Sequence, residues 1–360
     1  MFFSSHLNRF LITSILILVL VGCTGSSEPT APPPADELIL YDWAEDVPQS
    51  VLDAFTQEYG TKVTYLVYES QEEAIDQMRS GQAYDVVVME SRFVPLLVEA
   101  NLLAEIDFGN VPNFKNISAN FRNLVYDPDN RYSIPYNWGV TGLVVRSDLV
   151  EQPVTRWADL WDPRYAGKIA IWAGQSREVI ALTLKSLGFS GNTEDPRELQ
   201  AALDHLLEIR PHVLFIEDFG LAESSDLMAS GQVVISMGYA TDVIVGQTKN
   251  PDITFVMPEE GALMWNDTFV IPANGPHKYT AELFLNFLLR PEISAQMINE
   301  HYYPMANEAA EPFIDPAIRD NPVIYPPDEV LRNAELIVPL SVDGQQRYLE
   351  LWERFLAKTG

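Results

Sequence analysis

The sequence predicts an α/β fold with two similar lobes, two extended segments that join them, and a ligand cleft between them. Residues 84–89 are apolar on both strand faces, which is typical of a parallel sheet covered by helices. A Met-x-Ser-Gly-Gln sequence occurs at 78–82 and again at 228–232, each time before a valine-rich strand. Residues 132–145 and 263–271 are predicted extended crossings between the lobes. The predicted lobes are 37–138 with 268–334, and 139–267 with 335–360.

The first lobe follows from apolar spacing and capping residues. Val51, Phe55 and Tyr59 fall at helical spacing, and Ser70-x-x-Glu73 is a capping box that begins the next helix. The predicted strands of this lobe are residues 38–41, 62–67 and 84–89, and two further helices lie at 279–289 and 291–301.

In the second lobe, a compact aromatic turn at 157–161 leads into the strand at 168–172. Its predicted strands are residues 168–172, 233–237 and 253–256, and its helices are 176–187, 196–209, one after Ala240, and a final helix near 343–356. In open α/β sheets ligands bind beyond the carboxyl ends of the strands, so the loops after these strands should line the cleft.

The N-terminal 22 residues form a predicted export signal. Arg9 precedes an apolar run at 10–21 that is too short for a comfortable membrane span. The run ends in Leu20-Val-Gly-Cys23, which looks like the lipobox of bacterial lipoproteins, and Cys23 is the only cysteine of the chain. We therefore expect lipidation at Cys23 rather than a buried thiol, no disulfide within the chain, and a flexible Pro- and Ser-rich tether at 23–36.

Composition narrows the classes of function. With 23 basic and 51 acidic side chains the formal charge is −28, which argues against nucleic acid and anionic lipid as partners. No nucleophile elbow, zinc-protease motif, P-loop or dinucleotide fingerprint is present, so neither a cofactor nor an enzymatic activity is expected. A carbohydrate-active hydrolase that uses Glu178, Asp242 and Asp267 is the enzymatic alternative.

Acids and aromatic residues recur in the loops that should line the cleft. Strand alternation places Trp265 and Asp267 on the same face, so that a ring and a carboxylate form one surface. An alkyl ammonium could place its methylene stem between rings and its nitrogens on carboxylates. A sugar or a zwitterionic amine is the competing ligand, and each of these residues taken singly is more often a packing residue or a strand-end acid. The candidate ligand-binding residues are Trp43, Glu45, Glu90, Glu178, Tyr239, Asp242, Trp265, Asp267 and Tyr303.

From residue 38 onward the chain resembles the spermidine/putrescine-binding proteins of ABC transporters. The resemblance is carried by Leu40-Tyr-Asp-Trp-Ala-Glu-Asp-Val-Pro48, Ser133-Ile-Pro-Tyr-Asn-Trp-Gly139, Trp265-Asn-Asp267 and Asn286-Phe-Leu-Leu-Arg-Pro291, among other stretches. It implies a fold of the periplasmic-binding-protein type, with two lobes that close around a polyamine. The expected partners are that polyamine, an ABC permease, and the membrane through the lipid anchor, for a monomeric protein at the periplasmic or extracellular face.

The resemblance also implies roles for individual residues. Trp43 and Trp265 would stack on the polyamine, Tyr239 stands in place of a family Trp, and Tyr303 matches a family Tyr. Amino-group binding is implied for Glu178, Asp242 and Asp267, and Glu45 matches an acidic position of variable role. The chain departs from the family pattern at Asp46, Glu90, Arg92, Gln175 and Ile337. A cationic Arg92 near the pocket would reject a third ammonium or pair with Glu90.

Overall fold

The computed structural model describes residues 32–44, 46–216 and 221–357. The export signal, Cys23, most of the tether and Glu45 lie outside these ranges, as does the side chain of Asp242. The predictions made for those residues are therefore not tested by the fold.

The described strands form one continuous sheet. In chain order they are β1 (Glu37–Asp42), β2 (Lys62–Val67), β3 (Val86–Glu90), β4 (Ser133–Arg146), β5 (Ile169–Trp172), β6 (Val213–Ile216), β7 (Ile235–Tyr239), β8 (Ile253–Val256), β9 (Leu263–Val270) and β10 (Glu335–Leu336). Their order across the sheet is β2-β1-β3-β9-β4-β7-β5-β6, with β8 paired to β4 and β10 to β9. The outer strands pair in parallel on both sides, whereas β3, β9, β4 and β7 pair antiparallel to each other.

The two predicted crossings lie next to each other at the centre of this sheet. They are β4 and β9, which pair antiparallel from Ser133 opposite Val270 to Thr141 opposite Leu263. A register irregularity falls between Pro135 and Trp138, where proline cannot donate a ladder hydrogen bond. All 14 residues of β4 are buried, as expected for a central strand. The predicted lobe boundaries fall inside these two strands, and they stay a prediction.

Helices cover the sheet. The described α-helices are α1 (Gln49–Tyr59), α2 (Gln71–Arg79), α3 (Val94–Glu99), α4 (Ser176–Ser186), α5 (Pro196–Ile209), α6 (Leu221–Ser230), α7 (Ala240–Lys249), α8 (Lys278–Leu288), α9 (Pro291–His301), α10 (Pro316–Arg319), α11 (Asp328–Leu331) and α12 (Val342–Ala357). One apolar core joins β1 and β3 to α1, α8 and α9, for example through Phe55, Phe284 and Met297. Another joins β5 and β7 to α4, α5 and α12, and contains Trp157 and Phe355. The final helix therefore packs where the sequence predicts.

The repeated Met-x-Ser-Gly-Gln sequence forms the same turn twice. Met78 and Met228 are both buried, and each carbonyl accepts a hydrogen bond from the glycine three residues later. Gly81 and Gly231 have φ values of +89° and +76°, a region that favours glycine. The turns lead into β3 and β7, so the predicted similarity of these two steps is confirmed.

The predicted capping box at α2 is only half correct. Ser70 Oγ accepts a hydrogen bond from the backbone N–H of Glu73, as predicted. The Glu73 carboxylate, however, accepts from the backbone N–H of Glu69 rather than from that of Ser70. The helix begins at the predicted residue because the Ser70 bond alone satisfies one of its free N–H groups.

Candidate functional site

Two acids face each other where β3 and β9 pair. Glu90, the last residue of β3, is directly opposite Asp267 of β9. Carboxylates at opposed positions repel each other, so this pairing is unfavourable unless a cation lies nearby. Asp267 is buried, and its Oδ1 has no hydrogen-bond partner among the described residues. Burial first, and the charge of Glu90 second, raise the pKa of Asp267 well above its usual range.

A third acid reaches the cluster from the first turn of α4. The buried Glu178 carboxylate accepts hydrogen bonds from Thr141 Oγ1 at 2.6 Å and from the Tyr239 hydroxyl at 2.9 Å. Thr141 and Tyr239 are opposed residues of β4 and β7, so the sheet register places both donors together. Burial raises the pKa of Glu178 to about 7, and the charge of Glu90 contributes in the same direction.

Trp265 lies at the centre of a group of aromatic rings. Its ring centroid is 5.2 Å from that of Tyr239 and 5.7 Å from that of Tyr303. Opposite Trp265 on β4 is Gly139, where an added Cβ would collide with the indole, so glycine allows the ring to lie against the backbone. Trp265 Nε1 is buried without a hydrogen-bond partner among the described residues. The neighbouring Asn266 bonds Ser91 and Tyr126 instead, which agrees with the predicted alternation of faces.

Trp43 lies at the carboxyl end of β1, two strands away from β9. Its ring packs edge-on against Tyr68 at 4.6 Å, and it is not part of the ring group around Trp265. Its neighbour Asp42 nevertheless interacts electrostatically with Asp267. Burial, then the charge of Asp46, and to a smaller extent that of Asp267, raise the pKa of Asp42.

Arg92 places a positive charge inside this acidic cluster. Its Nε donates to Glu90 Oε2, and its guanidinium lies over the Phe93 ring at 4.2 Å. The charge of Arg92 lowers the pKa of both Glu178 and Asp267, against the larger effect of burial. The expected pairing of Arg92 with Glu90 is therefore confirmed.

Some residues that shape the site were not predicted from the sequence. Thr141 and Gly139 act through cross-strand pairing, which no local pattern reveals. Arg177, next to Glu178, holds the start of α4: its guanidinium donates to the Gly191 carbonyl at 2.7 Å and stacks on Tyr348 of α12 at 4.8 Å. The sequence signal that could have identified Arg177 is its position directly before the candidate acid Glu178.

A groove lies on the other face of β9, beside the acid and ring cluster. Its volume is about 760 Å³, and Trp265 is the only candidate residue that lines it. Its other walls include Met264 and Asn266, which alternate with Trp265 and Asp267 along β9, and Phe121, Trp138 and Tyr325. We assign the site to the acid and ring cluster because unpartnered buried polar atoms, rather than volume, indicate where a charged ligand binds.

The described part of the chain contains neither a metal-binding cluster nor a membrane-spanning helix. There, no three His, Cys, Asp or Glu side chains lie close enough together to hold a metal ion. Nor do the described helices include one with the length and apolar composition needed to cross a membrane.

Comparison with known proteins gives the family. Residues 50–325 match the family described as bacterial extracellular solute-binding protein. The chain belongs to that family. It is 36% identical over 301 residues to the spermidine/putrescine-binding periplasmic protein of Escherichia coli strain K12, covering 83% of this chain and 85% of that protein.

Two solved structures extend the comparison. The substrate-binding protein PotD of a spermidine/putrescine ABC transporter from Streptococcus pneumoniae has a TM-score of 0.79 and 27% identity, covering 90% of this chain and 99% of that one. The TpPotD lipoprotein of Treponema pallidum has a TM-score of 0.80 and 26% identity, covering 89% and 99%. The predicted two-lobed binding-protein fold is confirmed. The S. pneumoniae protein is described as the substrate-binding protein of a transporter, and the E. coli protein as a binding protein of the periplasm.

Proposed function

We propose that this protein binds a polyamine, putrescine or spermidine, and delivers it to an ABC permease. One observation carries the proposal: the buried Asp267 carboxylate has an unpartnered oxygen, faces Glu90, and lies two residues from the Trp265 ring on the same strand face. The names of the E. coli and S. pneumoniae relatives support the same ligand class.

Repulsion among the acids of the site explains why a cation is favoured. The charge of Glu90 raises the pKa of both Asp267 and Glu178, so it opposes the ionisation of these two acids. A bound ammonium relieves this repulsion and gives the free Asp267 oxygen a donor. Its contact with an aromatic face adds roughly 0.5 to 2 kcal/mol. A neutral sugar would leave the acids uncompensated, which makes it the weaker candidate.

We assign ligand contact to Trp43, Glu90, Glu178, Tyr239, Trp265, Asp267 and Tyr303, and by family resemblance to Glu45 and Asp242. The exported, monomeric protein is held at the membrane by a lipid on Cys23. The periplasmic E. coli relative supports export, and the description of TpPotD as a lipoprotein supports the anchor.

Thermal unfolding in the presence of putrescine, spermidine, glucose and glycine tests the proposal. A ligand at a hundred times its dissociation constant adds roughly 2.7 kcal/mol to the free energy of unfolding. We expect a raised midpoint with at least one polyamine and no shift with glucose or glycine. A shift with glucose alone, or no shift with either amine at millimolar concentration, would contradict it.

A further inference from the structure

The Glu90–Arg92 pair divides the acids of the site into two kinds. Glu90 already has a cationic partner within the protein, the Arg92 guanidinium. Asp267 and Glu178 have no cationic partner among the described side chains, although Glu178 accepts two neutral hydrogen bonds. Of Glu90, Asp267 and Glu178, the last two are therefore the acids whose carboxylates a ligand cation can pair with.

Arg92 is held in this position by more than its ion pair. The Phe93 ring lies against the guanidinium, and the side chains of Arg92 and Glu90 are only 21% and 16% exposed. Glu90 is itself fixed by β3, with its backbone N–H donating to Gln71 Oε1 at 3.2 Å. The partly buried Arg92 guanidinium is held by both Phe93 and Glu90. Its displacement is unfavourable because it would leave the Glu90 carboxylate without a compensating charge.

We propose that Arg92 makes the site selective for diamines over triamines, a refinement that rests on the proposed polyamine function. Arg92 occupies, as a built-in cation, the place at Glu90 that a third ammonium would take. A diamine meets Asp267 and Glu178 and leaves the Glu90–Arg92 pair intact. A triamine brings a further positive charge towards Arg92, and juxtaposed like charges are a general means of excluding a wrong ligand.

The test is calorimetric titration with putrescine and spermidine of four proteins: the wild type, Arg92→Gln, the double variant Glu90→Gln/Arg92→Gln, and Arg79→Gln. We expect the wild type to prefer putrescine, and Arg92→Gln to shift the affinity ratio towards spermidine by about tenfold or more, since a repulsive charge is removed and Glu90 is freed. In the double variant the part of that gain that depends on the Glu90 carboxylate should be lost, so its affinity ratio should lie between those of the wild type and Arg92→Gln. Arg79, which is half exposed on α2 and pairs with Asp76, controls for net charge and should leave the ratio unchanged.

Three outcomes would overturn the proposal. An Arg92→Gln variant that unfolds like the wild type but keeps its affinity ratio would show that Arg92 does not discriminate between the ligands. A wild type that prefers spermidine would contradict it directly. In an added titration with 4-aminobutanoate, tighter binding than that of putrescine, lost in Arg92→Gln, would make Arg92 a receptor for a ligand carboxylate. If no amine binds any of the four proteins, the polyamine function itself fails and this refinement fails with it.

Discussion

Replacing Asp267 by Asn removes one charge and almost no volume. Asp267 Oδ1 has no hydrogen-bond partner among the described residues, so the main effect of the substitution there is the loss of charge. Removing one partner of a buried charge pair costs roughly 2 to 5 kcal/mol of binding free energy. In the free protein, burial and the charge of Glu90 raise the pKa of Asp267. Part of the binding free energy of the wild type is therefore used to ionise this acid. We therefore expect the lower half of the range, about 2 to 3 kcal/mol, or roughly 30- to 150-fold weaker putrescine binding.

The same reasoning predicts coupled proton release. Because the ammonium requires ionised Asp267 and Glu178, wild-type affinity should rise from pH 6 to pH 8, with protons released on binding. Asp267→Asn should release fewer protons, which titration in buffers of different ionisation enthalpy measures directly. Asp53→Asn, an exposed charge change on α1, is the control. Binding by Asp267→Asn within twofold of the wild type would refute the assignment of this carboxylate.

Three further predictions concern other residues. Without ligand, Glu178→Gln should gain stability relative to the wild type as pH rises from about 4.5 to about 7, by at most about 3 kcal/mol. The reason is that the pKa of Glu178 is raised in the folded state, so the wild type loses stability over that pH range. Equal differences in unfolding free energy between Glu178→Gln and the wild type at pH 4.5 and pH 8, measured by urea unfolding, would contradict this. Trp265→Leu should weaken putrescine binding by roughly 0.5 to 2 kcal/mol, less than Asp267→Asn, as measured by calorimetry. Cys23→Ser should move the protein from the membrane to the soluble fraction on centrifugation, and a membrane-bound variant would argue against lipidation.

The elements were predictable because their signals are local. Val51 and Phe55 fall at helical spacing and both are buried in α1, and the final helix predicted near 343–356 is α12 (Val342–Ala357). Apolar periodicity records which face of an element is buried, and capping residues record where it ends. Short β10 was missed, since its two residues carry no periodicity and it forms by pairing with β9.

The sequence suggests candidate residues for the site but not how they are arranged. Alternation placed Trp265 and Asp267 on one face, but the opposition of Glu90 and Asp267 depends on how β3 pairs with β9. The donors to Glu178 depend likewise on the register of β4 against β7. A one-residue slip of register reverses every face, and the energy that fixes register comes from the packed core rather than from local sequence. Residues that act on the site through strand pairing therefore cannot be identified from local sequence.

The last helix anchors the start of α4 across a long separation in sequence. Arg177 stacks on Tyr348, and the Tyr348 hydroxyl donates to the Thr193 carbonyl at 2.9 Å, so α12 packs on the loop that follows α4. The residue next to Glu178 is thus held by a helix more than 150 residues further along the chain. Such non-local contacts require the loop-closure entropy to be overcome before they stabilise the fold. A nascent chain that lacks α12 therefore has every acid of the site but not the contacts that anchor α4 beside Glu178.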